Sequence, residues 1–174
     1  MTDHTGQAAD GRSGQESWRD SVSEATATDL ENLLGTGVSA AQEQLQRNGG
    51  FLPFALTVQN DGEVRLVAVS PDDVGGGSDA DFDADAMIRD LQALLRQNRD
   101  DFRAAAVVCD ILLVEEDSDA IHVAAEHRDG SLFAAVLPYA ANATTQTWEF
   151  GEPGRGCQRA HHLGGLDRTS SHED

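Results

Sequence analysis

His122, Glu126 and Tyr139 bring a base, an acid and a phenol close together in the chain, the residue types used in proton transfer. The segment holding the first two, Ile121-His-Val-Ala-Ala-Glu-His127, alternates apolar and polar residues as a β-strand does. Residues four apart on a strand share a face, so His122 and Glu126 point away from the side of Ile121 and Val123. At the rise of an extended chain they lie about 13 Å apart, too far for a shared metal ion or a direct acid–base pair. A polar outer face of a sheet needs nothing more than this alternation. The three residues are therefore read as a candidate interaction face, with no catalytic set and no metal site assigned.

Asp110 is the most conspicuous single residue, because it interrupts the apolar run Ala104-Ala-Ala-Val-Val-Cys-Asp-Ile-Leu-Leu-Val114. A buried carboxylate requires a partner or takes up a proton. An ion pair with Arg65 is the expectation, with Arg103 and Arg128 as further candidates; a solvent-facing position or a functional acid are the alternatives. Glu126-His-Arg-Asp129 places four ionisable groups at the mouth of a hairpin. Neighbouring strand residues point to opposite faces, so Glu126 and His127 do not converge on one ligand without a bulge. Asp129-Gly130 is accounted for by turn chemistry. Cys157, His161, His162 and His172 have metal-binding side chains, but their spacing matches no closed zinc pattern. The sequence contains no Walker loop, no Gly-x-Gly-x-x-Gly opening a helix, no His-Glu-x-x-His and no Gly-x-Ser-x-Gly. No cofactor is implied.

The elements that would carry these residues are marked by two Asp-Gly turns, each between apolar, β-prone runs: Phe54–Val69 and Ile121–Leu137. In the first, a three-residue loop Asn60-Asp61-Gly62 with a left-handed Gly62 sets Val58 opposite Val64 and Leu56 opposite Leu66. A two-residue loop would turn Arg65 onto the apolar face. In the second hairpin the register is open. The outer face holds Ala124 and Ala134 with either Leu132 and Val136 or Phe133 and Leu137.

Thr28-Asp-Leu-Glu31 reads as a capping box opening a helix with apolar positions at Leu30, Leu34, Val38, Ala41 and Leu45. Gly35 and Gly37 are expected to bend or break it, and Asn48-Gly49-Gly50 ends it. Pro71 to Asp81 reads as a Gly-rich acidic linker; its Gly75-Gly-Gly77 has no lysine to make a phosphate cradle. A second helix over Asp83–Asn98 buries Met87, Ile88, Leu91, Leu94 and Leu95, with Phe102 below. Ala104–Val114 reads as a central strand, and a last, exposed strand covers 146–150. The fold class is thus α+β: a single antiparallel sheet of five or six strands with two helices shielding one side, in the order α-β-β-α-β-β-β, with a final β as the sixth strand. The domain covers 28–150, between polar tails at 1–27, which includes the isolated Trp18, and 151–174.

That element order resembles the roadblock, longin and profilin group of folds. The segments Gly50-Phe-Leu-Pro-Phe-Ala55, Asn60-Asp-Gly-Glu-Val-Arg-Leu-Val67 and Glu126-His-Arg-Asp-Gly130 with Leu137-Pro-Tyr139 look like those of a family of small uncharacterised bacterial proteins. The likeness covers about residues 50–139 and implies no activity.

Charge narrows function further. The 174 residues carry 31 acids against 12 basic residues, all Arg, for a net −19. Residues 28–150 alone hold 22 acids and seven Arg, a net −15. A field of that sign repels nucleic acid and anionic lipid and attracts cations or a basic protein. It also serves solubility in a salty medium. Two cysteines without framework spacing, no basic and apolar leader and no long apolar run point by elimination to the cytoplasm. The leading expectation is a non-catalytic protein-interaction module with a protein partner or a second copy. The alternatives are an acidic immunity or inhibitor protein that binds a basic partner, and an enzyme using Asp110 or Glu126.

Overall fold

The computed structural model describes residues 20–70 and 83–153. Trp18, Gly75-Gly-Gly77, Cys157, His161, His162 and His172 lie outside them, as do most of the two tails.

Six strands form one antiparallel sheet: β1 (Phe54–Gln59), β2 (Val64–Val67), β3 (Phe102–Leu113), β4 (Ser118–His127), β5 (Leu132–Asn142) and β6 (Thr147–Phe150). Their order across the sheet is β2-β1-β3-β4-β5-β6. Helix α1 (Glu24–Asn48) precedes β1, and α2 (Ala84–Gln97) joins β2 to β3. The α+β class and the element order are those expected, with the sixth strand present.

Both hairpins use the same turn. Gln59 N–H bonds the Glu63 carbonyl at 2.8 Å and Gly62 N–H bonds back to Gln59 at 2.9 Å. His127 and Ser131 repeat the pattern around Gly130. Gly62 (φ 92°) and Gly130 (φ 91°) sit at positive φ, where a Cβ would be strained. In each turn the aspartate closes on the amide two residues on, Asp61 on Glu63 and Asp129 on Ser131. The first register is the expected one, Val58 opposite Val64 and Leu56 opposite Leu66. The second pairs Ala124 with Ala134 and Glu126 with Leu132, so Leu132 and Val136, not Phe133 and Leu137, stand on the outer face.

The helices cover opposite faces, not one. Leu30, Leu33, Ala41 and Leu45 of α1 pack on Leu56, Val58, Val108, Ile121, Val123, Leu137 and Tyr139. Leu91 and Leu95 of α2 pack on Ala55, Phe102, Ala105 and Val107. Strand alternation explains the division: β1 and most of β3 are buried on both sides, as central strands are when both faces are covered. Beyond β1's reach, Asp110 and Leu112 of β3 emerge into solvent.

Helix α1 departs from expectation in two ways. It starts a turn early: Ser23 is the N-cap and accepts from Thr26 N–H, while the Thr28 hydroxyl donates to the Glu24 carbonyl inside the helix. The buried stripe is therefore Thr26, Asp29, Leu30, Leu33, Gly37, Ala41 and Leu45. The helix also runs through Gly35 and Gly37 without interruption. Gly37 is where it crosses the sheet most closely: a Cβ there would lie 2.9 Å from Val108 Cγ2 and 3.5 Å from Leu56 Cδ1. Glycine is set by the sheet beneath it, not by a bend.

The two glycines make opposite predictions. Gly37→Ala forces that contact and destabilises by about 1–3 kcal/mol, less the gain in helix propensity. Gly35→Ala meets nothing within 4 Å and stabilises by about 0.5–1 kcal/mol. Urea denaturation of the two variants checks both signs.

Candidate functional site

The chemistry-bearing side chains fall into three groups, at opposite ends and on opposite faces of the sheet. The densest group joins the start of α1 to the second hairpin. Asp29 is buried, and Arg103 grips it through Nε at 2.7 Å and an η-nitrogen at 2.8 Å. This two-point geometry is the strong form of a carboxylate–guanidinium bond. It holds the Arg103 guanidinium above its ordinary pKa. His127 Nε2 lies 3.3 Å from the same carboxylate. Its Nδ1 accepts the Asp129 N–H at 3.2 Å, which leaves the ring proton on Nε2 to be donated to Asp29. The buried Thr26 hydroxyl donates to Asp129 Oδ2 at 2.6 Å.

A β-bulge assembles this group. Opposite Val58 and Gln59 the register of β3 slips by one residue at Arg103. Strict alternation would send Arg103 toward α2 and Phe102 toward α1. With the slip, Phe102 joins Leu91 and Leu95 under α2, and Arg103 reaches Asp29 on the α1 side. Asp29 and Arg103 went unrecognised as a pair because a helix begun at Thr28 hides the inward spacing Thr26, Asp29, Leu33. In the sequence Arg103 stands only as a further candidate for Asp110, after Arg65. Both nitrogens of His127 and both oxygens of Asp29 and Asp129 are engaged within the fold. The group is a lock between elements, not an open acid–base site.

The second group corrects the reading of Asp110. Arg65 pairs with Glu63 at 2.9 Å, on the α2 face of the short edge strand. Asp110 stands on the α1 face and accepts a 2.8 Å hydrogen bond from the Tyr139 hydroxyl. The expected Asp110–Arg65 ion pair is therefore replaced by a carboxylate–phenol bond, and Asp110 is exposed, not buried. Partial desolvation raises the Asp110 carboxyl, and nearby Asp119 adds to the rise against the Tyr139 bond. Burial and the Asp110 carboxylate likewise raise the Tyr139 phenol. Tyr139 packs edge-on against Trp148, whose indole N–H donates to the Leu45 carbonyl of α1 at 2.8 Å.

The third group lies on the α2 face of β3 and β4. Glu126 is only 3 % exposed, so it is not part of a solvated polar face. His122 stands two pairs along the same face, with Nδ1 3.8 Å from Cys109 Sγ. A Cys–His neighbour pair has the composition of a nucleophile and its base. Here burial pushes the thiol up to about 11, helped by Asp110 and Asp85, so it stays protonated near neutrality and is a poor nucleophile. The face proposed from His122, Glu126 and Tyr139 is thus divided: the first two share the α2 side, and Tyr139 is on the α1 side. Asp110 and Glu126 are likewise on opposite faces and, by register, five residues apart along β3. No group of three metal-ligating side chains gathers among the described residues.

Concave surface flanks β2. An open groove of about 560 Å³ runs between the end of α1 and the outer edge of β2, lined by Phe51, Leu52, Pro53, Phe54, Leu66 and Val69 among others. Leu52 and Leu66 are 39 % and 59 % exposed there. No signal in the sequence singled out this surface, since Leu66 alternates as a core residue would. Among the described residues no helix is long and apolar enough to cross a membrane. Comparison with protein-family models, curated proteins and solved structures found no match.

Arg103→Leu strands a buried carboxylate and is expected to cost about 3–5 kcal/mol. Asp29→Asn costs less, because the Arg103 side chain, 30 % exposed against 4 % for Asp29, can return to water. Urea melts rank the two. Asp129 adds a pH signature. Burial works against its ionisation, but hydrogen bonds from Thr26 and Ser131 outweigh it and hold the carboxyl down to about 2. A depressed carboxyl stabilises above its unfolded value, about 3.9, and loses that contribution as pH falls through its folded value. The stability difference between the native protein and Asp129→Asn should be full above about pH 5 and close toward pH 2.

Proposed function

We propose that the chain is a non-catalytic protein-interaction module of the cytoplasm, and that it receives its partner at the β2 edge. The observation carrying this reading is exposed leucine beside an unpaired strand edge; Leu112, Val114 and Leu132 are exposed too, but on β3, at its turn into β4 and on β5. Leu52, Leu66 and Leu94 are all at least 36 % exposed. All three border β2, an edge strand with no neighbour on its outer side among the described residues. Exposed apolar surface next to an unpaired strand edge is what soluble proteins ordinarily blunt. The titratable groups support the reading from the other direction. Asp29, Arg103, His127 and Asp129 are consumed in holding elements together, and Asp110 and Glu126 do not meet.

Charge describes the partner. At net −19 a second copy of the chain is repelled and a cationic polypeptide is drawn in. The same charge favours a second reading within this class, an acidic immunity or inhibitor protein that neutralises a basic effector. A gene for a small basic effector beside this one would select it.

The test is site-specific photocrosslinking in native cells. A benzophenone side chain at position 66 should capture a discrete basic polypeptide that one at position 149, on the opposite edge, does not. Leu66→Asp should lose the partner while changing stability by no more than about 0.5 kcal/mol, as for an exposed site. Equal labelling from both edges, or none from position 66, refutes the proposal.

A further inference from the structure

We infer that β2 takes up an extended peptide as a seventh strand, and that this peptide alternates large apolar with basic side chains. The inference rests on the interaction-module reading and specifies the partner's recognised segment.

Backbone phase comes first. The Gln59–Glu63 bond fixes which cross-strand pairs are hydrogen-bonded: counting along the ladder, Thr57–Arg65 and Ala55–Val67 are bonded, and Val58–Val64 and Leu56–Leu66 are not. The N–H and C=O of Val64 and Leu66 therefore point outward, away from β1. They form a row of donors and acceptors onto which another strand can pair.

The side-chain surroundings fit the two-residue period of such a strand. On the α1 side, residues opposite Leu66 would enter the apolar groove of about 560 Å³ between Phe51, Leu52 and Phe54. On the α2 side, the alternate residues would meet a smaller hollow of about 250 Å³, lined by Thr57, Arg65, Val67, Leu94, Asn98 and Asp101. Arg65 is already paired with Glu63, which leaves the exposed Asp101 carboxylate as the charge this hollow offers an incoming side chain. One side selects apolar bulk and the other tolerates an aliphatic stem with a cationic head. The opposite edge lacks this arrangement: Thr147 and Glu149 of β6 are exposed, and Asn142 is bonded to Glu149 at 2.6 Å.

The test uses a labelled, end-capped heptapeptide alternating isoleucine and arginine, with fluorescence anisotropy against the full chain. The control peptide has the same residues reordered to helical spacing, so charge and composition are held constant. The alternating peptide should bind about tenfold or more tighter, the loss expected from misplacing a few contacts. N-methylation of the amides along one edge of the peptide should abolish binding, and along the other edge should not, because an added edge strand uses only one set. Leu66→Pro removes an outward N–H without breaking a bond to β1 and should weaken binding about tenfold. Equal binding of the reordered peptide, or indifference to N-methylation on both edges, overturns strand addition whether or not the proline variant folds. If the crosslink from position 66 to a basic polypeptide persists under that result, only the strand mode falls; if the crosslink is absent as well, the module reading falls with it.

Discussion

The fold depends on the grip of Arg103 on Asp29. It is the contact at which the first turns of α1, the start of β3 and the second hairpin meet. A carboxylate as buried as Asp29 is tolerable only when its charge is matched and its lone pairs are used, and the two-point guanidinium with the His127 ring does both. The pair in turn requires the bulge at Arg103, and the bulge is what lets Phe102 complete the α2 side of the core. One irregularity in one strand thus places a charge on one face and an aromatic ring on the other. Ala104, Ala106 and Ala125, all buried on the α1 face, add little height between helix and sheet and suit the close approach this contact needs.

The other end of α1 is held by different chemistry. Trp148 bonds the Leu45 carbonyl and stacks edge-on with Tyr139, whose hydroxyl is spent on Asp110. Between the two ends Gly37 lets the helix lie directly on Val108 and Leu56. Polar anchors at the ends and contact without side chain in the middle hold α1 on the sheet. The sheet's β2 edge then projects beside the end of α1, and the Phe51–Phe54 segment leading from the helix into β1 forms the wall of the groove. The surface proposed for a partner is a by-product of where the helix had to end.

Much of the architecture was legible residue by residue. The first Asp-Gly turn and its alternating flanks determine one register, because side-chain period and turn geometry bring the apolar residues together in only one way; the second turn marks a hairpin but leaves its register to the structure. The stripe of α2, except for Leu94, which is exposed, and the apolar β3 are similarly local signals. The site was less legible. Strand alternation fails at a bulge, so nothing in the sequence places Arg103 on the α1 side beside Asp29, and the expected pairing of Asp110 with Arg65 does not form. At the N-terminus of α1 the capping-box pattern points to Thr28, whereas the helix is capped five residues earlier at Ser23, and local spacing does not reveal this. The choice falls to Asp29, which can be buried only if Arg103 and His127 are there to receive it.

By itself the chain's order of residues determined which segments are helix and strand, how the first hairpin is registered, and a net charge of −19 whose field repels phosphate and attracts cations. Those are properties of neighbours in sequence and of sums. Only the tertiary structure decided that the helices take opposite faces, that Asp110 answers to Tyr139, that Asp29 meets Arg103 across 74 positions, and that Leu66 lies open beside a groove. Each of these joins groups far apart in the chain, and whether a side chain is buried, paired or exposed is set by what the fold brings against it.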